Sequence, residues 1–276
     1  MVHVVKSANS DAGGKFIAAV DNICISEESE PNRVAFDCEG VNLSRLGSVD
    51  IVSVCFSSDN VFLVDIGGES PDPEIIKALK DLFENATVKK IIHDCKMDSD
   101  ALFHLHGIRL VNVHDTSCFH AEITGCEDEN LNNVLMYNGV EVNDTRDKSV
   151  YKRNPNFWAE RPLTQQMIDW SSADVDRLFE VATKQINQVS DSGMTRADSK
   201  SLENISFALE RKVEDGLKVT CHMGKFIGRR GANLRSLQTR TKTLIYQKRP
   251  NPTWFVYYLD NDGLDAVKRS MRGNEW

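Results

Sequence analysis

Apolar and polar positions alternate over several short stretches in the first part of the chain, and these stretches are rich in β-branched residues. A period of two predicts β-strands, because successive side chains of a strand point to opposite faces of a sheet. Apolar residues spaced three to four positions apart predict helices between and after them. The predicted strands cover 33–36, 49–56, 61–65 and 89–93, and the predicted helices cover 73–84, 97–106, 131–137 and 164–185. Three strands close in sequence, followed by strands that helices separate, indicate a mixed α/β sheet.

The pattern changes beyond residue 186. Residues 187–201 are polar and contain few large apolar side chains, which predicts a linker. After it the order β-α-α-β-β-α predicts a small α+β domain, with strands at 217–221, 243–247 and 254–259 and helices that include 232–240 and 263–271. We therefore predict a first domain at 1–186, a linker at 187–201 and a second domain at 202–276.

The charge of the chain is unevenly distributed. Its 276 residues carry a net charge of -8. Residues 1–195 contain 17 Lys and Arg against 32 Asp and Glu, whereas residues 196–276 contain 16 against 9. An acidic front and a basic back suggest that the first domain holds cations while the second holds a polyanion.

Cysteine usage and hydropathy bear on the compartment. The seven Cys residues show no CxxC pair and no His partner at zinc spacing, which favours reduced thiols over disulfides or structural zinc. The N-terminus lacks the apolar core of a signal peptide, and no stretch approaches the length of a membrane span. We expect a soluble intracellular protein, cytoplasmic or nuclear.

Two carboxylates, Asp37 and Glu39, end the first predicted strand and lie at positions i and i+2, so they point to the same face. Like charges held close are unfavourable unless a cation neutralises them, and Mg²⁺ or Mn²⁺ suits oxygen ligands. The alternative is an exposed strand end with solvated acids.

Further acids follow in two predicted helices. Asp94, Asp98 and Asp100 crowd the start of the first, where they are candidate metal ligands or only complement the helix dipole. In the last helix of the first domain, Asp174 lies four residues after Trp170 and on the same face. Beside apolar neighbours, an Asp there either pairs with a base or binds a metal.

The order of these residues resembles the DEDD superfamily of 3'-5' exonucleases, with ribonuclease D-like and Egalitarian-like proteins the most similar. Residues 36–41 are similar to the first exonuclease motif, 93–98 to the second and 170–174 to the third. Supporting similarity covers Asp115–Thr116, Lys148–Ser149, Trp158 and 161–163, so that the resemblance spans roughly residues 15–185. It implies a ribonuclease H-like mixed sheet with flanking helices.

The resemblance implies the chemistry as well. Four acids would hold two Mg²⁺ or Mn²⁺ ions that promote hydrolysis of the terminal phosphodiester, with release of nucleoside monophosphates from a 3' end. The implied metal ligands and catalytic residues are Asp37, Glu39, Asp98 and Asp174, and Asp98 is preferred to Asp94 and Asp100 for its distance from His93.

One position departs from the family pattern. Trp170 stands where this branch has a tyrosine that orients the attacking water, and an indole N–H donates hydrogen bonds but accepts none. Trp170 is therefore a candidate catalytic position with altered chemistry. A catalytically impaired exonuclease fold that serves as an RNA-binding adaptor is the alternative function.

A glycine-rich segment marks the second domain. Gly228-Arg-Arg-Gly231 joins two glycines, which let the backbone approach phosphates, to an arginine pair. With an amphipathic helix and a β-β-α tail after it, 211–272 resembles a type I KH domain, whose GxxG loop clamps about four single-stranded nucleotides. The implied partner is single-stranded RNA, with DNA also possible. Candidate RNA-binding residues are Lys225, Ile227, Gly228, Arg229, Arg230, Gly231 and Arg235, together with Lys148, which is either a phosphate contact or a surface cation.

Overall fold

The computed structural model describes residues 1–26, 32–57, 60–68, 70–142, 146–147, 149–248 and 253–273. The chain divides into two compact units, Met1–Ser206 and Phe207–Trp276. Within the described residues, no helix is both long enough and apolar enough to cross a membrane.

A mixed six-stranded sheet forms the centre of the first unit in the described part of the chain, and it confirms the predicted α/β class. The strand order is β1-β4-β3-β2-β5-β6. The pairs β2–β3 and β3–β4 are antiparallel, and the other neighbours are parallel. The strands are β1 (Val2–Val5), β2 (Arg33–Glu39), β3 (Ile51–Ser57), β4 (Asn60–Asp65), β5 (Lys89–Ile92) and β6 (Val113–Asp115).

Helices cover both faces of this sheet, because alternate residues of β2, β3, β4 and β5 contribute to two separate hydrophobic clusters. On β2, Val34 and Phe36 belong to one cluster, whereas Ala35 belongs to the other. The helices are α1 (Asp11–Ile25), α2 (Pro73–Phe83), α3 (Lys96–His106), α4 (Thr116–Thr124), α5 (Leu131–Tyr137), α6 (Val150–Arg153), α7 (Gln165–Ala173), α8 (Leu178–Gln188) and α9 (Asp191–Leu209). Residues of α1, α2 and α3 join the first cluster, and those of α7 and α8 join the second.

The helix predicted over 164–185 is two helices, α7 and α8. Between them the backbone tightens to hydrogen bonds between residues three apart, from Val175 N to Ser172 O and from Leu178 N to Val175 O, both 3.3 Å long. Asp174 is therefore the C-terminal cap of α7 rather than a mid-helix residue.

The predicted linker over 187–201 is also different in the structure, since most of it belongs to α9 and the two units divide after Ser206. This helix was not predicted, because its buried side combines an aliphatic residue with small and polar residues. Ala197, Ser201, Asn204 and Ile205 are all at most 5% exposed. Buried polar residues that form hydrogen bonds inside the fold give the same polar sequence pattern as a solvent-exposed linker.

The second unit has the predicted order β-α-α-β-β-α. Its elements are β7 (Lys212–Leu217), α10 (Met223–Ile227), a 3-10 turn (Arg229–Gly231), α11 (Ala232–Thr241), β8 (Leu244–Gln247), β9 (Trp254–Tyr258) and α12 (Asn261–Arg272). The sheet order is β7-β9-β8, with both pairs antiparallel. The strand predicted at 217–221 lies earlier, at β7, where the turn-like pair Asp215-Gly216 coincides with a register shift and obscured the strand pattern.

Candidate active site

Three carboxylates, two from β2 and one from the end of α7, converge in the first unit. Asp37 and Glu39 lie on the face of β2 that also carries Ala35, and Asp174 caps α7 above that face. One carboxylate oxygen of each residue lies within 4.8 Å of the others. We call Asp37, Glu39 and Asp174 the carboxylate cluster.

Arg146 contacts this cluster, and no motif of the sequence had singled it out. Its Nη2 donates to Glu39 Oε1 at 2.7 Å, and its Nη1 donates to Asp174 Oδ2. Its Nε donates to the Tyr151 hydroxyl at 2.9 Å. The guanidinium also lies over the rings of Tyr151 and Trp158, 5.7 and 5.5 Å from their centroids. Arg146 and Tyr151 are therefore part of the site.

Asp98 is the acid of the second motif that the structure places beside the cluster. Its Oδ1 accepts a hydrogen bond from Cys38 N at 3.1 Å, and burial together with the nearby Asp37 carboxylate raises the pKa of Asp98. Asp94 is exposed and pairs with Lys96 at 2.9 Å. The other competitor, Asp100, is fully buried and pairs with Arg45 at 2.7 Å.

The electrostatics of the cluster favour an added cation. Burial raises the pKa of Asp37 to about 6 and that of Glu39 to about 8, although the Arg146 charge opposes both shifts. Burial and the Asp37 charge also raise the pKa of Asp98. Several carboxylates that one guanidinium neutralises incompletely form a hard oxygen donor set, and this set fits Mg²⁺ or Mn²⁺.

Trp170 lies in the aromatic core behind the cluster. It is 3% exposed, and its ring centroid lies 5.6 Å from that of Phe157 and 6.4 Å from that of Tyr151. Trp158, which is 5% exposed, packs in the same group. The phenol hydroxyl in this region thus belongs to Tyr151 on α6, whereas position 170 contributes an indole.

Asp115 holds the main chain that precedes α3 and also caps α4. Its carboxylate accepts hydrogen bonds from the backbone N–H of Asp94 at 2.8 Å, of Cys95 at 3.1 Å and of Ser117 at 3.0 Å. It also accepts one at 3.0 Å from the side-chain amide of Asn204 on α9. Asp115 therefore fixes the turn from which α3 presents its first acids.

These hydrogen bonds predict a specific acid sensitivity. Although burial opposes the effect, the hydrogen bonds and the nearby His93 hold the pKa of Asp115 at about 2. A carboxyl whose pKa is lowered by folding stabilises the protein above its unfolded pKa, so we expect Asp115 to contribute about 2 kcal/mol at pH 7 and to lose this contribution between about pH 4 and pH 2.

Urea unfolding of the wild type and of Asp115→Asn, measured from pH 7 to pH 2.5, tests this expectation. The difference in free energy of unfolding is expected to shrink as the pH falls through this window. The control is Asp128→Asn, an exposed carboxylate at φ 58° that asparagine replaces without strain. A difference between wild type and Asp115→Asn that stays constant with pH would contradict the assignment.

In the second unit the predicted phosphate-binding residues surround one tight loop. Gly228 has φ 75° and ψ 173°, and Gly231 has φ 80°. A Cβ at Gly228 would lie 2.6 Å from Cγ of Asn233, so this position requires glycine. Arg229 and Arg230 between the two glycines are exposed.

The other predicted RNA-binding residues lie around the same loop or outside the described chain. Lys225 and Arg235 are exposed, and Ile227 is half-buried. The Arg235 Nη1 donates to the carbonyl oxygen of Arg230 at 2.8 Å, which fixes the loop. Lys148 lies outside the residues that the structure describes.

Comparison with known proteins extends this picture. A family model described as 3'-5' exonuclease matches residues 18–189. The mouse piRNA biogenesis protein EXD1 is 29% identical over 147 residues, which cover 47% of this chain and 25% of the mouse protein. The chain thus spans about a quarter of the length of that relative.

Two solved structures share the fold at lower sequence identity. Trypanosoma brucei RNase D in complex with RNA U12 has a TM-score of 0.60 and 17% identity, over 74% of this chain and 70% of that one. Brucella melitensis NrnC with bound Mg²⁺ has a TM-score of 0.57 and 16% identity, over 75% of this chain and 90% of that one.

Proposed function

The chain belongs to the 3'-5' exonuclease family, and from this premise we propose that it removes nucleotides from the 3' end of single-stranded RNA with two divalent metal ions. The observation that carries the proposal is the convergence of Asp37, Glu39 and Asp174 within 4.8 Å, with Asp98 beside Asp37. These residues lie up to 137 positions apart in the sequence (37 to 174), so only the fold brings them together.

The four carboxylates are the proposed metal ligands. When bound, a pair of Mg²⁺ or Mn²⁺ ions would supply the positive charge that activates water and stabilises the phosphodiester during displacement. The chain supplies rigid placement, since Asp37 and Glu39 are fixed on β2 and Asp98 is fixed through Cys38 N. The Mg²⁺ named for the structurally similar NrnC supports this choice of cation.

The second unit is proposed to hold the RNA as a type I KH domain. Its β-α-α-β-β-α order, its antiparallel sheet and the glycine-flanked Arg229-Arg230 pair support this assignment. Such a loop clamps a single-stranded backbone, and a basic unit offsets the repulsion between an acidic nuclease domain and phosphates. The RNA named for the structurally similar RNase D supports RNA as the substrate.

A direct assay tests the proposal. Purified protein is incubated with 5'-labelled single-stranded RNA and Mn²⁺, and products are resolved at single-nucleotide resolution. Progressive shortening from the 3' end is the expected result, and a DNA oligomer of the same sequence tests whether the substrate is RNA. No shortening at any metal concentration would reject the enzymatic function.

The alternative is an exonuclease fold that binds RNA with little turnover, and the observation that favours it is Trp170. If the missing hydroxyl limits cleavage, we expect Trp170→Tyr to raise the cleavage rate at least about tenfold, which is below the usual range for general acid–base groups. The smaller ring leaves a cavity in a buried cluster, so the variant should be about 1–2 kcal/mol less stable.

Trp170→Phe is the matched control for this experiment. It loses the same indole volume but supplies no hydroxyl, so a gain with tyrosine alone isolates the chemical effect from the change in packing. Equal rates for wild type, Trp170→Tyr and Trp170→Phe would show that the side chain at position 170 does not limit turnover.

A further inference from the structure

Arg146 is held in the carboxylate cluster by several contacts in a largely buried position, unlike an arginine of an exposed surface ion pair. Its side chain is 18% exposed, whereas that of Arg153, seven residues later on α6, is 72% exposed. Its guanidinium uses all three nitrogens, one each for Glu39, Asp174 and Tyr151. Such a fork geometry fixes both the position and the orientation of the charge.

The two carboxylates that Arg146 joins are members of the set that could hold a metal ion. Glu39 and Asp174 each have an oxygen in the cluster that lies within 4.8 Å of the others. A divalent cation at that point and a guanidinium bonded to the same two side chains would repel each other at short range in a partly dehydrated site. Simultaneous occupancy is therefore unfavourable.

We propose that Arg146 is an internal counter-ion that competes with the divalent metal for Glu39 and Asp174, so that metal uptake requires the guanidinium to leave both carboxylates. The inference rests on the proposed metal site and adds a residue that regulates its loading. In the metal-free protein Arg146 neutralises part of the cluster and holds its members together. Metal binding then replaces one cation by another.

The position of Tyr151 gives this exchange a second component. Its hydroxyl accepts from Nε of Arg146, and its ring lies under the guanidinium. Both contacts stabilise the metal-free arrangement without involving a carboxylate. Removal of the Tyr151 hydroxyl should therefore weaken the hold on Arg146 and shift the competition towards the metal, in the same direction as removal of Arg146 itself but by less.

Titration calorimetry with Mn²⁺ alone, on the full chain, tests the proposal. We expect Arg146→Gln to lower the Mn²⁺ dissociation constant at least about tenfold, because a competing charge is removed from two ligands. Arg146→Lys keeps the charge but cannot bond two carboxylates with a planar guanidinium, so its Mn²⁺ dissociation constant should lie between those of Arg146→Gln and the wild type. Tyr151→Phe should tighten binding to a smaller extent.

Arg153→Gln is the matched control, since it removes the same charge from an exposed arginine on the neighbouring helix turn. Its Mn²⁺ affinity should stay within about twofold of the wild type, as expected for a screened surface charge. If Arg153→Gln tightened binding as much as Arg146→Gln, general electrostatics would account for the effect and the proposal would be wrong.

A second measurement needs no variant and covers the case in which Arg146→Gln does not fold. Phenylglyoxal modification of the wild type, mapped by mass spectrometry, should label Arg146 slowly without metal and at least about threefold faster with saturating Mn²⁺. Labelling of Arg153 should not change. Labelling of Arg146 that is unaltered or slower with Mn²⁺ would overturn the proposal.

The outcomes separate this inference from the function on which it rests. If wild type and Arg146→Gln bind Mn²⁺ equally well, the counter-ion role fails while the metal site stands. If neither protein binds Mn²⁺, the proposed metal chemistry fails together with the inference. Weaker Mn²⁺ binding by Arg146→Gln than by the wild type would also overturn the proposed competition. Arg146 would then be a residue that positions the metal ligands.

Discussion

Asparagine in place of Asp37 is expected to abolish Mn²⁺ uptake and to lower the rate of RNA shortening at least about 10³-fold, which corresponds to roughly 4 kcal/mol of lost transition-state stabilisation. Asp37 is expected to carry this effect because it belongs to the carboxylate cluster and also lies beside Asp98. Its side chain lies near Glu39 on β2, Asp98 on α3 and Asp174 at the end of α7. The amide has the same shape but no charge.

The same substitution should stabilise the metal-free protein. Burial raises the pKa of Asp37 to about 6. A folded protein that contains a carboxyl with a raised pKa loses stability as the pH rises through that pKa, because the buried group becomes charged. In EDTA we therefore expect the free energy of unfolding of Asp37→Asn to exceed that of the wild type by about 1–2 kcal/mol above pH 6. This figure is reduced for the partial exposure of the side chain. Below pH 4 the two proteins should differ little in stability. Loss of function with gained stability distinguishes a functional residue from a structural one.

Asp94→Asn is the control for both measurements. Asp94 belongs to the second motif, as Asp98 does, is exposed and has φ 57°, a conformation that asparagine tolerates. Its Mn²⁺ affinity and cleavage rate should remain near those of the wild type. Equal losses in the two variants would mean that Asp94, not Asp98, is the acid that joins Asp37, and that the cluster has been assigned incorrectly.

Reversal of charge in the glycine loop is expected to have the second largest effect. Arg229→Asp with Arg230→Asp should weaken the binding of single-stranded RNA about 100-fold, as two charge-assisted hydrogen bonds of about 1.5 kcal/mol each are lost. The fold should survive, because both side chains are exposed and Arg230, at φ 52°, has a conformation that aspartate accepts. Metal uptake by the first unit should not change.

Fluorescence anisotropy with a labelled RNA, over a range of salt concentrations, measures this effect. The slope of log K against log salt should fall by between about 1 and 2, as expected for two lost phosphate contacts on a single strand. Lys212→Asp with Arg272→Asp is the control, since both residues are exposed in the same unit but outside the loop. Equal weakening by the two pairs would indicate binding by overall charge and not by the loop.

Local patterns were sufficient for much of this site. Two acids on a strand share a face whatever the rest of the fold does, so the pairing of Asp37 with Glu39 follows from the strand period. Asp98 was separable from Asp94 and Asp100 by the spacing of a family motif, and the structure places Asp98 at Cys38 N. The loop from Gly228 was recognisable because glycine and arginine have local physical roles.

Long-range contacts explain what the sequence could not predict. Arg146 lies in a charged run that resembles a solvated surface, and its role depends on Glu39, 107 residues away. The strand β1 and the helix α1 were not predicted either. β1 is a four-residue edge strand with only Val5 buried, so it carries little hydrophobic pattern, and its position depends on pairing with β4. In each case the deciding partner is distant in sequence.

The helix α9 has a practical consequence for dividing this protein. Although α9 begins within what the composition marks as a connector, Asn204 donates to Asp115 and Ser99 Oγ donates to the carbonyl oxygen of Ile205 at 2.8 Å. A fragment that stops at residue 186 would lack these interactions and would expose the surface that α9 covers. An excised fragment of the first unit should therefore extend at least through Ser206, and protease sites inside α9 are poor guides to where that unit ends.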